Sequence, residues 1–180
     1  MCSRYSRKNK KAKVGKKEIS IPAEPQPVIR PTDRASILRA SSSDLEVAEL
    51  RWGLIPSWAK DPKIGIQCIN ARSETVAEKP AFRDSFLHRR CLIPADSFFE
   101  WETRGRRKIP WRFERPEHEP FCMAGLWDRW KLSPSSPVHP INSSAPFTAA
   151  CLSYSPPTKP NIGFRKAALP SSSPPPKSSS

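Results

Sequence analysis

A chain of 180 residues accommodates one domain with tails more readily than two domains. Its formal net charge of +14, from 31 Lys and Arg against 17 Asp and Glu, points to a polyanionic partner, of which nucleic acid is the commonest; a solvated basic tail on an unrelated domain is the plain alternative. No stretch approaches the ~18 apolar residues of a membrane span, and the basic N-terminus lacks the apolar region of a secretory signal, so no membrane partner is expected.

The chain opens MCSRYSRK. Removal of Met1 would make Cys2 the N-terminal residue, with an α-amine and a thiol on one carbon skeleton. Free α-amines have pKa values near ~7.7–8.0, so a neutral fraction exists at pH 7. A neutral amine attacks an aldehyde to give an imine, and the adjacent thiol closes it to a thiazolidine ring. The other reading of Cys2 is an incidental cysteine in a frayed end. The remaining cysteines, Cys68, Cys91, Cys122 and Cys151, form no C-x-x-C pair with it or with each other. Neither a zinc site nor a disulfide framework is indicated, no metal or cofactor is expected, and a reducing compartment fits.

Residues 8–18 are crowded with lysine and lack hydrophobic periodicity, which predicts a mobile basic loop. The proline-rich stretch 21–33 is extended, because each proline pushes its predecessor toward β or polyproline geometry. Residues 47–55 read as a strand and 64–70 as a second, buried one. Within RWGLIPSWAK (51–60), Trp52 and Trp58 stand beside Arg51 and Lys60. Aromatic platforms next to cations suit single-stranded nucleic acid; one tryptophan is assigned to the core and Trp52 to base stacking. In INARSE (69–74), Asn70 either holds an amine or substrate oxygen or caps the following helix. Arg72 offers a forked pair to phosphate.

KPAFRDSFLHRR predicts a helix with Pro80 at its first position and Phe82 and Phe86 as an i,i+4 pair. Residues 90–101 are strand material interrupted by Pro94. Glu100 lies there between Phe99 and Trp101. A carboxyl among aromatics suits general acid–base work; the bland reading is a solvent-facing residue on an amphipathic strand. Residues 103–109 form a basic hairpin turn around Gly105. Arg83, Arg89, Arg90 and the 104–108 cluster add charge able to follow a phosphate backbone. Segments 109–114 and 121–130 read as strands and 146–154 as a last one, while 152–180 is Pro/Ser-rich and expected to be disordered. The expected fold is an α+β domain dominated by strands, with two helices and two flexible ends.

MCSRY, RPTD, RWGLIPSWA, NARSET, RRCLIPADSFFEW and FCMAGLWDRW stand in the order, and at about the spacing, of the SRAP family. These are the SOS-response-associated peptidases, or abasic site processing proteins. The chain resembles that family over about residues 1–5 and 26–150. The resemblance implies a single SRAP-like domain with a β-barrel-like core and flanking helices, here over 1–151, with a divergent tail at 152–180. It implies autocatalytic removal of Met1 and capture of an abasic-site aldehyde in single-stranded DNA as a thiazolidine crosslink. Lyase activity follows from the same imine chemistry. By the resemblance, Cys2 is the nucleophile, Asn70 positions the α-amine, Glu100 serves acid–base steps, Arg4 and Arg72 contact DNA, and Trp52 stacks on a base. A monomer is expected, cytoplasmic and nucleoid-associated in a bacterium or nuclear in a eukaryote.

The chain departs from the family pattern at three places. Ser3 stands where the family has glycine, and Val28 where asparagine is frequent. After Phe147 and Thr148 no histidine in an IHxRMP context follows, and His88, His118 and His139 all lie upstream. An impaired single-stranded DNA binder is therefore the alternative to a crosslinking enzyme.

Overall fold

The computed structural model describes residues 3–42, 44–130, 146–149 and 165–168, so Cys2 and most of the tail over 152–180 lie outside the described residues. The strands are β1 (Arg4–Arg7), β2 (Lys11–Val14), β3 (Lys17–Ser20), β4 (Gln26–Ile29), β5 (Arg34–Ala40), β6 (Leu45–Trp52), β7 (Arg90–Ala95), β8 (Ser97–Arg104), β9 (Arg107–Glu114), β10 (Phe121–Trp127), β11 (Pro146–Ala149) and β12 (Arg165–Ala168). One α-helix, α1 (Arg83–His88), is described, with short 3-10 turns at Pro62–Ile66 and Pro116–His118. The domain is mostly strands with few helices.

Two strand systems face each other. One is an open sheet in the order β12-β9-β8-β1-β4. The other is a closed ring, β10-β11-β6-β5-β7, in which β11 joins β6 in parallel through Pro146↔Arg51 and Phe147↔Trp52. Tyr5 and Ile29 of the sheet meet Ala35, Ile37, Leu50, Trp52 and Ile93 of the ring in one core. A second core lies beneath α1, where Phe82 packs with Leu54, Cys68, Val76 and Leu126. Phe82 and Phe86 do form the expected i,i+4 pair, with the Phe86 N–H bonded to the Phe82 carbonyl at 2.7 Å.

The expected mobile loop over 8–18 is instead part of a β-hairpin, β2–β3. Its lysines mask an alternation of Ala12, Val14, Ile19 and Ile21, which pack against Leu38, Val47 and Leu92 of the ring. Gly15, at φ 60°, opens the two-residue turn, a position that favours glycine. The buried strand expected over 64–70 is a 3-10 turn followed by a loop. Asp61 caps it, accepting a hydrogen bond from the Lys63 N–H at 2.8 Å, and Pro62 supplies the fixed φ of a first helical position. This turn brings Gly65 against Gly53; a Cβ on Gly53, at φ 123°, would stand 2.7 Å from the Gly65 carbonyl oxygen. Pro94 does not interrupt its strand. It sits inside β7 opposite Cys122, beyond the β5 pairing at Leu38↔Leu92, where a missing N–H costs little. The tail expected to be unstructured contributes β12, which pairs antiparallel with β9 from Arg165↔Glu114 to Ala168↔Trp111.

Candidate functional site

The N-terminal strand is short, and side chains fix it in place. β1 pairs with β8 at Arg4↔Phe99, Tyr5↔Phe98 and Ser6↔Ser97. Where β1 ends, the buried Asp96 carboxylate accepts hydrogen bonds from the Lys8 N–H, the Asn9 N–H at 3.2 Å and the Asn9 side-chain amide. The Asp96 N–H in turn donates to the Ser6 carbonyl at 2.8 Å. Arg7, also buried, donates its guanidinium to the carbonyls of Asn9 at 3.1 Å, Ala23 at 3.3 Å and Glu24. An aspartate and an arginine thus anchor the C-terminal end of a strand whose other end leads toward residue 2.

Trp52 ties that strand to the loop carrying Asn70. Its ring meets Tyr5 edge-on with centroids 5.3 Å apart, and its indole N–H donates to the Ile69 carbonyl at 2.7 Å. The backbone of Trp52 is held as well, exchanging hydrogen bonds with Asp33 and Thr32 of the RPTD turn at 2.9 and 2.8 Å. Trp52 is 0% exposed. It therefore has no face free for a nucleobase, and the stacking role expected of it is corrected to that of a core bracket between Tyr5 and Ile69. Trp58, in the loop after Pro56, is 59% exposed, with its indole N–H donating to the Pro80 carbonyl at 3.4 Å. Burial separates the two tryptophans, whereas their sequence surroundings of cation, proline and apolar residue do not.

Where β1 begins, an open cleft of about 380 Å³ is lined by Ser3, Arg4, Glu100, Trp101, Thr103 and Lys108. The Arg4 guanidinium lies over the Trp101 ring, 5.2 Å from its centroid. Of the expected site residues, Arg4 and Glu100 meet here. Asn70, half-buried, and Arg72, exposed, sit on the loop after the Pro62–Ile66 turn, outside the cleft lining. Cys2 precedes Ser3 and lies outside the described residues. Trp101 and Thr103 are cleft residues to which sequence reading gave no role, and Lys108 was expected only as part of the 104–108 charge along a phosphate backbone. The hairpin register was the available signal: Thr103 and Lys108 are a cross-strand pair on the face that carries Trp101.

The other described cysteines are chemically quiet. Burial pushes the Cys91 thiol up to about 12. Burial also raises Cys68, against a smaller opposing pull from Lys79, and raises Cys122. Among the described residues no group of three or more His, Cys, Asp or Glu is placed to hold a metal ion. No described helix is long and apolar enough to cross a membrane.

A family model, SOS response associated peptidase (SRAP), matches residues 1–151. The abasic site processing protein YoaM of Bacillus subtilis is 42% identical over 117 residues, covering 64% of this chain and 52% of YoaM. The abasic site processing protein YoqW of the same organism is 42% identical over 112 residues, covering 62% and 50%. The chain spans about half the length of the curated relatives it matches. A solved structure of a protein from Bacteroides thetaiotaomicron matches with a TM-score of 0.61 at 26% identity, over 84% of this chain and 66% of that one.

Proposed function

Because the chain belongs to the SOS response associated peptidase family, we propose that it processes abasic sites in single-stranded DNA. The observation that carries this reading is the cleft in which Ser3, Arg4 and Glu100 meet at the start of β1. A trans peptide places neighbouring Cα atoms about 3.8 Å apart, so Cys2 is one such step from a residue that lines the cleft.

On this reading Met1 is removed by hydrolysis of its peptide bond, which frees the α-amine of Cys2. The neutral amine adds to the C1 aldehyde of the ring-opened sugar, and loss of one water gives the imine. The Cys2 thiol then adds to the imine carbon, its proton passes to nitrogen, and the ring closes as a thiazolidine. Strand cleavage by elimination from the imine is the competing lyase outcome. Asn70 orients the amine, and Glu100 moves protons in the hydration and dehydration steps. Arg4 and Arg72 hold phosphates, and Trp58 takes the stacking contact that buried Trp52 is unable to make. On the same reading the strand ring is the barrel-like core of the family domain matched over 1–151, β12 adds an edge strand to it, and the protein acts as a monomer, in the nucleoid of a bacterium or the nucleus of a eukaryote.

Intact mass tests the reading. Purified chain should lack Met1, and incubation with an abasic single strand should add the mass of the oligonucleotide less one water. Cys2→Ala should abolish the adduct; an adduct that survives this change sinks the mechanism. The second reading, a binder that forms no crosslink, is favoured by the absence of a histidine after residue 139. It wins if salt-sensitive binding is present and no adduct forms.

A further inference from the structure

Past the start of β1, β8 and β9 continue together as a two-stranded arm. The β1 pairing with β8 reaches Arg4↔Phe99, whereas β8 and β9 remain paired out to Arg104↔Arg107. From Phe99 to Arg104 the arm advances about 17 Å at ~3.4 Å per residue. Gly105, at φ 58°, opens the turn, and a Cβ there would meet nothing within 4 Å, so the tip stands in open space.

The charge on this tip works against its folding. Arg104 and Arg107 are a direct cross-strand pair, and like charges so placed destabilise a hairpin. Arg106 and Lys108 flank them. Arg104 has a carboxylate partner, Glu102 at 2.9 Å, but the other Glu102 oxygen is taken by the Trp111 indole N–H at 2.7 Å. Arg106, Arg107 and Lys108 are exposed and have no ion pair among the described residues. Lys108 also lines the cleft with Arg4 and Glu100. In the β8 register the order is Arg4 opposite Phe99, then Glu100, then Lys108 opposite Thr103. Arg4 and Lys108 thus flank β8 on the face that carries Trp101, and Glu100 also lines the cleft.

We propose that the β8–β9 arm is a further binding element for the phosphate backbone of single-stranded DNA. Lys108 holds a phosphate on one side of the lesion and Arg4 one on the other, with Arg106 and Arg107 contacting phosphates farther out. The span from Phe99 to Thr103 is about 14 Å. A span of that size lets the two cations bracket a short run of nucleotides. The placement of the lesion rests on the abasic-site reading, but the test below needs no covalent chemistry.

Fluorescence anisotropy with a single strand carrying a tetrahydrofuran abasic analogue, which has no aldehyde, reads binding alone. Each phosphate contact on a single strand contributes about −0.7 to the slope of log affinity against log salt. Lys108→Gln is expected to flatten the slope by about 0.7 and Arg106→Gln with Arg107→Gln by about 1.4, with Lys108→Arg restoring the first loss. Arg107→Gln should at the same time raise the melting temperature by relieving the like-charge pair, which separates a lost contact from a lost fold. Lys13→Gln with Lys16→Gln on the β2–β3 hairpin is the control and should leave the slope in place. Wild-type slopes in the arm variants, equal flattening in the control, or no salt-dependent binding by the unaltered chain would each overturn the proposal. If the unaltered chain binds the analogue with the expected slope but forms no adduct with a true abasic strand, the abasic-site reading falls and the arm proposal stands.

Discussion

Ser6 and Ser97 face each other across the β1–β8 pairing, and their buried hydroxyls lie 2.7 Å apart. A four-residue strand makes few backbone hydrogen bonds, so such side-chain contacts decide where it lies. The position of β1 is therefore set one to four residues beyond Tyr5, and the cleft end inherits it.

The Asp96 anchor gives the first prediction. Asp96→Ala removes the buried carboxylate that accepts from the Lys8 and Asn9 N–H groups, and losing hydrogen bonds to a charged acceptor should cost about 1.5–3 kcal/mol. The urea midpoint should fall accordingly, with Asp96→Asn recovering part of the loss through its remaining oxygen. Affinity for single-stranded DNA should fall as well, because Arg4 loses its placement. An unchanged midpoint in the alanine variant would show that the anchor contributes nothing.

The two tryptophans should separate cleanly. Trp52→Ala opens the core between Tyr5 and Ile69 and should cost about 3–5 kcal/mol in stability. Trp58→Ala removes an exposed ring and should leave stability within about 0.5 kcal/mol. The same change should weaken single-stranded DNA binding by about 1–3 kcal/mol if one base stacks on the ring. Paired denaturation and anisotropy curves check both, and a Trp58→Ala variant that binds normally removes that contact from the account.

Glu100→Gln keeps the shape of the cleft wall and removes the proton carrier. Adduct formation with an abasic strand should slow by about 10²–10⁴-fold, with a much smaller change in affinity for the tetrahydrofuran analogue. A quenched time course reads the rate. Equal rates would show that another group carries those proton transfers.

The buried thiols predict an alkaline loss of stability. An unfolded cysteine ionises near 9, while Cys91 in the fold keeps its proton until about 12. The folded state binds the extra proton between those values. The stability this contributes is complete below pH 9 and is lost as pH rises toward 12, by about 1.4 kcal/mol per pH unit for one such thiol. Cys68 and Cys122 shift in the same direction and add to the loss. Urea midpoints measured between pH 8 and pH 10 should fall in a cysteine-dependent way, and Cys91→Ala should flatten the trend.

Strands with strong alternation were readable from sequence. Residues 47–55 foretell β6, and the Gly105 turn correctly joins β8 to β9. The β2–β3 hairpin was not, because lysine on its outer face outweighs the small residues Ala12 and Val14 in any hydrophobic average. The apolar run 64–70 reads as a strand, although Asp61 and Pro62 just before it are a helix-start signal. Arg4 and Glu100 could be nominated from their residue types, but their sharing of a cleft follows from pairing between residues 95 positions apart. The opposite fates of Trp52 and Trp58 depend on long-range packing that their matching neighbourhoods do not encode.

The pairing of β12 with β9 bears on where the folded unit stops. The family match closes at residue 151, yet Arg165–Ala168 covers the outer edge of the open sheet. A chain cut at the family boundary would expose the β9 backbone at Trp111–Glu114 as a free edge, a template for strand addition from a second molecule. Stickiness in such a fragment would then reflect the missing cover strand, with the cleft and its chemistry left as they were.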